Sequence, residues 1–327
     1  VARATCRQVS RLVPGNPQLT TMRCGPDDIS NDKQPACACW LMLSGGGTDR
    51  GTIVGGGARI GGLGGSATNL GLTVHGNVTL TGSSVPNVGS AIGGRTRTGQ
   101  TNNITMIVDG DVTLNPGTAM PLSGSRIGAT GSGGNISVTA VGNIALNSTG
   151  LGLGTSIRTT DGLTLQANAI TQGPDTTIAA GSLTTSTANG ANLVGNNNVM
   201  SSFTASNVTT GNITLNNPGN TGTLTLGTIS QNAGNVTVQT AGGLVIGAGN
   251  TIGSTTMTGD ITLRADAIDI ASTASLQTAA AGGTRNVYLL PNIPGTAASV
   301  GGSAGFDISQ AEINTILARR EAKQKAR

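Results

Sequence analysis

Between residues 211 and 246, apolar and hydroxyl positions alternate in four short bursts: GNITL, GTLTL, GNVTV and GGLVI. In GNVTV, Val236 and Val238 fall on one side of an extended chain and Thr237 on the other. A Gly-Asn or Gly-Asp pair precedes many bursts, and both residues tolerate the backbone of a tight turn. Each burst therefore predicts a turn followed by a short strand, apolar inside and hydroxyl outside.

The same phrase recurs over much of the chain. It reads HGNVTL at 75–80, DGDVTL at 109–114, GGNISV at 133–138 and VGNIAL at 141–146. It continues as TDGLTL at 160–165, TGNITL at 210–215, AGNVTV at 233–238 and TGDITL at 258–263. Taken in sequence order, the spacings suit a coil of roughly 20 to 25 residues, within the period of solenoids. A meander of hairpins uses similar words. However, the turns are not confined to two-residue loops, and the small inward residues suit a narrow interior. The expected fold is all-β: a right-handed parallel β-helix over 66–304, with coils stacked at strand spacing and asparagines laddered at the turns.

The ends break the pattern. Residues 1–50 carry all four cysteines, Trp40, and Pro14, Pro17, Pro26 and Pro35, with no sustained period, so they read as an irregular segment. Residues 51–65 form a glycine-rich transition. In 305–327, Ser309 and Glu312 have capping-box spacing, and Ile313, Ile316 and Leu317 share a helical face. A short capping helix with a basic tail is expected there, covering an open end of the solenoid.

Composition narrows the function classes. Charged residues make up 10% of the chain and aromatics 1%, which argues against an ordinary two-layer core. The net charge of +4 comes mainly from the ends. Residues 51–311 are close to neutral, with neither the basic surface nor the stacking aromatics of a nucleic-acid binder. No run of about 20 apolar residues marks a membrane helix. No signal peptide is evident, and a start at Val1 suggests a processed form or a fragment. Cys6, Cys24, Cys37 and Cys39 allow three pairings or free thiols, and the Cys-Ala-Cys spacing is not that of a zinc ribbon.

Candidate chemistry is sparse. A glycosidase needs two carboxylates flanking its substrate, and the candidates are Asp109, Asp111, Asp260, Asp266 and Asp269. GDVTL beside GNVTL implies instead that Asp109 and Asp111 stand at a turn in place of Asn, and Asp266 and Asp269 in LRADAIDI read as outward strand or turn charges. His75, the single histidine, precedes one such turn, and no nucleophile elbow accompanies it. Neither a phosphate loop nor a calcium-binding GGxGxD repeat is present. Asn77, Asn103, Asn135, Asn147, Asn207, Asn212 and Asn235 match the glycosylation sequon, which the turn-and-strand phrase generates by itself.

The GN[IV]TL phrases, the run at 234–270 and GFDISQAEINTILA at 305–318 resemble the filamentous-haemagglutinin-like adhesins of Gram-negative bacteria. The likeness spans about residues 66–318. It implies a right-handed β-helix, two-partner secretion through an outer-membrane transporter, and a secreted or cell-surface location. It also implies attachment to a host-cell receptor or glycan, with no cofactor, metal or catalytic residue. Asn16-Pro17-Gln18-Leu19 only approximates the family's secretion motif, and no role is carried onto it. The expected function is structural and adhesive. The alternatives are a β-helical carbohydrate-active enzyme or tailspike-like module, and ice binding by threonine ladders. Ice binding asks for TxT on every coil, and the sequence shows TLT at 223–225 with isolated threonines elsewhere.

Overall fold

The computed structural model describes residues 21–25, 38–44, 59–60, 68–84, 89–93, 101–119, 123–129, 131, 133–149, 154–279, 285–300, 306–309 and 312–313. The described chain is all-β, and its parallel sheets form a β-solenoid. It divides into two units. One comprises 1–160 with 173–177, the other 161–172 with 178–327.

In the first unit, each coil contributes strands to three ladders. Val78–Thr81 stacks in parallel on Val112–Asn115, which stacks on Ile144–Leu146. Thr68–Val74, Asn102–Val108 and Ile136–Ala140 make the second ladder. Arg59–Ile60, Ala91–Ile92, Arg126–Gly128 and Ser156–Arg158 make the third. The alternation read from sequence sets the burial. Val78, Leu80, Val112, Leu114, Ile144 and Leu146 are buried as two inward columns. Each such side chain contributes roughly 1.5–3 kcal/mol on burial.

Parallel stacking begins before residue 66. Arg59–Ile60 already pairs with Ala91–Ile92, and Ala38–Ser44 pairs with Val78–Thr81. Within 1–50, Thr21–Gly25 runs antiparallel to Ala38–Ser44, with Cys24 opposite Cys39 in register. The rest of that segment, including Cys6 and Cys37, lies outside the described residues. Strands as short as Arg59–Ile60 leave no period for a sequence to reveal.

The second unit is wound more tightly. One ladder runs through Ile170–Gln172, Ala191–Leu193, Ile213–Asn217, Val236–Thr240, Ile261–Ala265 and Val287–Pro291. The other runs through Gly162–Ala167, Thr177–Thr187, Val199–Asn207 and Thr223–Gln231. It then divides, because Thr223–Gln231 pairs at its start with Gly243–Ile246 and at its end with Thr251–Gly253. Those strands pair in turn with Ala267–Ile270 and Ser275–Gln277.

This topology corrects the repeat read from sequence. Residues stacked on adjacent coils are 34 and 32 apart in the first unit. They are 21, 23, 25 and 26 apart at successive stacks measured in the second. The expected 20–25 fits the second unit only. The phrases also belong to different faces. GNISV stacks on ITMIV at 104–108, whereas GDVTL stacks on GNIAL. Phrases that follow one another in sequence thus lie in two different ladders, and the coil length is the spacing within one of them.

Near the C-terminus, Phe306–Ile308 is a strand paired with Ala298–Val300. Glu312 and Ile313 have helical backbone, and the body of the expected helix lies outside the described residues.

Candidate functional site

The turn before each strand of the GNITL type explains the phrase. In the first unit, Asn77 Oδ1 accepts the Asp111 N–H at 2.8 Å, and Asp111 Oδ1 accepts the Asn143 N–H at 2.7 Å. In the second unit, Asn212 Oδ1 takes the Asn235 N–H at 2.8 Å and Asn235 Oδ1 takes the Asp260 N–H at 2.9 Å. Asp260 Oδ1 then takes the Asn286 N–H at 2.7 Å. Each rung uses one side-chain oxygen, which amide and carboxylate supply equally. Asn and Asp therefore interchange, and Asp111 and Asp260 are members of a turn ladder.

The preceding glycine follows from the same stacking. Gly211 and Gly234 have φ of +87° and +94°, a region that costs other residues about 1–2 kcal/mol. A Cβ on Gly234 would also strike the Gly211 carbonyl oxygen, and one on Gly259 the Gly234 carbonyl oxygen.

The remaining candidate residues separate. Asp109 Oδ2 meets His75 Nδ1 at 2.7 Å on the adjacent coil, and both side chains are exposed. Asp109 and Asp111, two residues apart, thus serve different partners. Asp266 is exposed, and its N–H donates to the Gly242 carbonyl. Asp269 is an outward residue of Ala267–Ile270, level with Val245. Among the described residues, no three His, Cys, Asp or Glu side chains come together to hold a metal. In the first unit, burial pushes the Arg158 guanidinium below its ordinary value by desolvation.

The structure adds two features that reading along the chain missed. The first is a set of buried amides in the second unit. Asn207 Oδ1 accepts the Gly190 N–H at 2.8 Å, and its Nδ2 donates to Gln231 Oε1 at 2.8 Å and Thr210 O at 2.7 Å. Gln172 and Asn198 form a reciprocal amide pair at 2.7 and 2.9 Å. Asn217 Oδ1 accepts the Met200 N–H and its Nδ2 donates back to Met200 O, both at 3.0 Å. These amides satisfy backbone groups where the chain leaves a strand and turns a corner. The available signal was an Asn or Gln closing a strand, as in ITQ, TASN, TLNN and TISQ. Asn207 lies in a sequon, but its amide nitrogen is buried and already donating.

The second feature is an uncharged hydroxyl face. Register places Ser182 beside Ser202 and Thr225, Thr184 beside Thr204, and Ser186 beside Ser206 and Ser230. Their side chains point away from the buried Leu183, Phe203 and Leu226. At the bulge after Phe203, Gly227 lies beside Thr204, and any Cβ there would strike the Thr204 hydroxyl. Hydroxyls therefore recur every ~4.8 Å across the strands and ~6.6 Å along them. Each offers one donor and two acceptor positions. The rows of this surface come from strands about 20 residues apart in sequence, so TLT at 223–225 shows one row and not the face.

No family model, curated protein or solved structure matches the chain.

Proposed function

We propose that this chain is a structural and adhesive segment of a secreted, haemagglutinin-like bacterial surface protein. Its solenoid would present a binding face to a host-cell receptor or glycan, acting by contact rather than turnover. The observation that carries this reading is the hydroxyl face formed by Ser182, Thr184, Ser202, Thr204, Thr225 and Ser230. It is uncharged, rich in donors and acceptors, and carried on a backbone ladder that fixes its spacing. Such a surface suits the hydroxyls of a glycan, and many weak contacts gain strength when a ligand repeats. Support also comes from Asp111 and Asp260, whose carboxylates serve stacking. Export through a two-partner outer-membrane transporter and display at the cell surface belong to the same proposal.

The test is binding of the labelled chain to host cells and to a glycan array, beside a variant carrying Thr184→Lys, Thr204→Lys and Thr225→Lys. Binding by the native chain, reduced at least tenfold in a variant with an unchanged β circular dichroism spectrum, supports the reading. Absence of binding to cells and glycans, or release of cleaved saccharide, overturns it.

A further inference from the structure

The last strand of one ladder in the second unit, Ala267–Ile270, pairs with Gly243–Ile246 on one side. Ala271 donates its N–H back to Ile246 O. In a parallel ladder alternate residues face opposite edges, so the Ile270 N–H points to the outer edge. An uncovered edge of this kind is a template for another strand.

That edge is occupied by the chain's own later segment. Glu312 is 8% exposed. Its Oε1 accepts the Ile270 N–H at 2.9 Å, and its Oε2 accepts the Ser309 N–H at 2.7 Å. Ser309 Oγ accepts the Glu312 N–H at 3.2 Å, and the Ile313 N–H reaches Ser309 O at 3.1 Å. This is a complete capping box, with one carboxylate oxygen left over for the sheet edge. Just before it, Phe306 and Ile308 are buried. The segment therefore combines apolar burial with a carboxylate clip on the edge.

We propose that Phe306–Ser309 together with Glu312 is a self-cap that blocks strand addition at Ala267–Ile270, and that the partner it excludes is a second copy of this chain. Glu312 is the positioning residue. Only a carboxylate presents two acceptors to the two backbone donors. A glutamine keeps one acceptor and turns its own N–H groups toward the other donor. A second copy is the fitting occupant because its coils carry strands with the same inward and outward alternation. Addition of one copy's strand to another's end is head-to-tail and does not close on itself, so uncapped chains would grow into oligomers. This inference concerns the end of the solenoid and does not depend on the adhesive reading.

The experiment compares the full chain with Glu312→Ala and Glu312→Gln. Hydrogen exchange reports the peptide containing Ile270, and sedimentation velocity reports mass over a hundredfold range of concentration. The expected result is exchange at Ile270 at least tenfold faster in Glu312→Ala. Its mass should rise with concentration while its β spectrum is kept. Glu312→Gln should fall between the two, which keeps the test decisive if the alanine variant fails to fold. Unchanged Ile270 protection in both variants overturns the clip. Faster exchange in a chain that stays monomeric overturns the excluded second copy. A native chain already assembled at low concentration overturns the cap.

Discussion

Asn207→Ala is the sharpest perturbation of the solenoid's corners. Asn207 is 1% exposed. Removing its amide strands the Gly190 N–H and Gln231 Oε1, both of which it now satisfies at 2.8 Å. A buried group left unpaired costs roughly 1–3 kcal/mol. Two such groups give about 2–6 kcal/mol, and a water entering the space would return part of it. About 3 kcal/mol of local stability should be lost, which corresponds to amide exchange on the order of 100-fold faster. Hydrogen exchange by mass spectrometry on the peptide spanning Gly190 reads this directly, and it needs no two-state transition across a repeat protein. Asn212→Ala is the comparison. Asn212 also accepts one backbone N–H, from Asn235 at 2.8 Å, but it is exposed and water can replace it. Its loss should cost at most about 1 kcal/mol. Equal effects of the two substitutions would refute the claim that burial, rather than the hydrogen bond itself, makes the corner amides matter.

Asp260→Asn should leave stability within ~0.5 kcal/mol, while Asp260→Ala should cost about 1 kcal/mol, read as faster exchange at Asn286. Two equally damaging changes would show that the charge matters. Gly234→Ala should destabilise by at least ~2 kcal/mol, from its positive φ and from collision with Gly211, measured by urea unfolding followed by circular dichroism. A neutral result would refute the stacked-glycine account. Thr185 buries a hydroxyl with no hydrogen-bond partner between Leu165 and Ala205. Thr185→Val should therefore raise stability by about 1 kcal/mol in the same assay, and destabilisation would point to a partner for that hydroxyl. Expression in a glycosylating host should leave Asn207 unmodified in intact-mass and peptide analysis, because its amide nitrogen is buried and donating.

The local grammar was legible in the chain. Alternation in GNITL and GNVTV set the strands and their buried faces, since period 2 is a property of the extended backbone. Gly followed by Asn or Asp marked many of the turns, whereas the stacking role of Asp111 and Asp260 came from the structure. Ser309 and Glu312 announced their capping box by spacing alone. Stacking order was not legible. Nothing local states whether GNISV lies over GDVTL or over ITMIV, because loops between strands set coil length, and backbone pairing between coils tolerates loops of any size. That choice produced the longer coils of the first unit and the shorter coils of the second. It also assembled the hydroxyl face from strands about 20 residues apart, and it gave Glu312 a second partner in Ile270, 42 residues away. Sequence determined what each strand is, because pleat and turn chemistry act over a few residues. Tertiary structure alone decided what each strand touches, because parallel neighbours meet only after a full coil has closed.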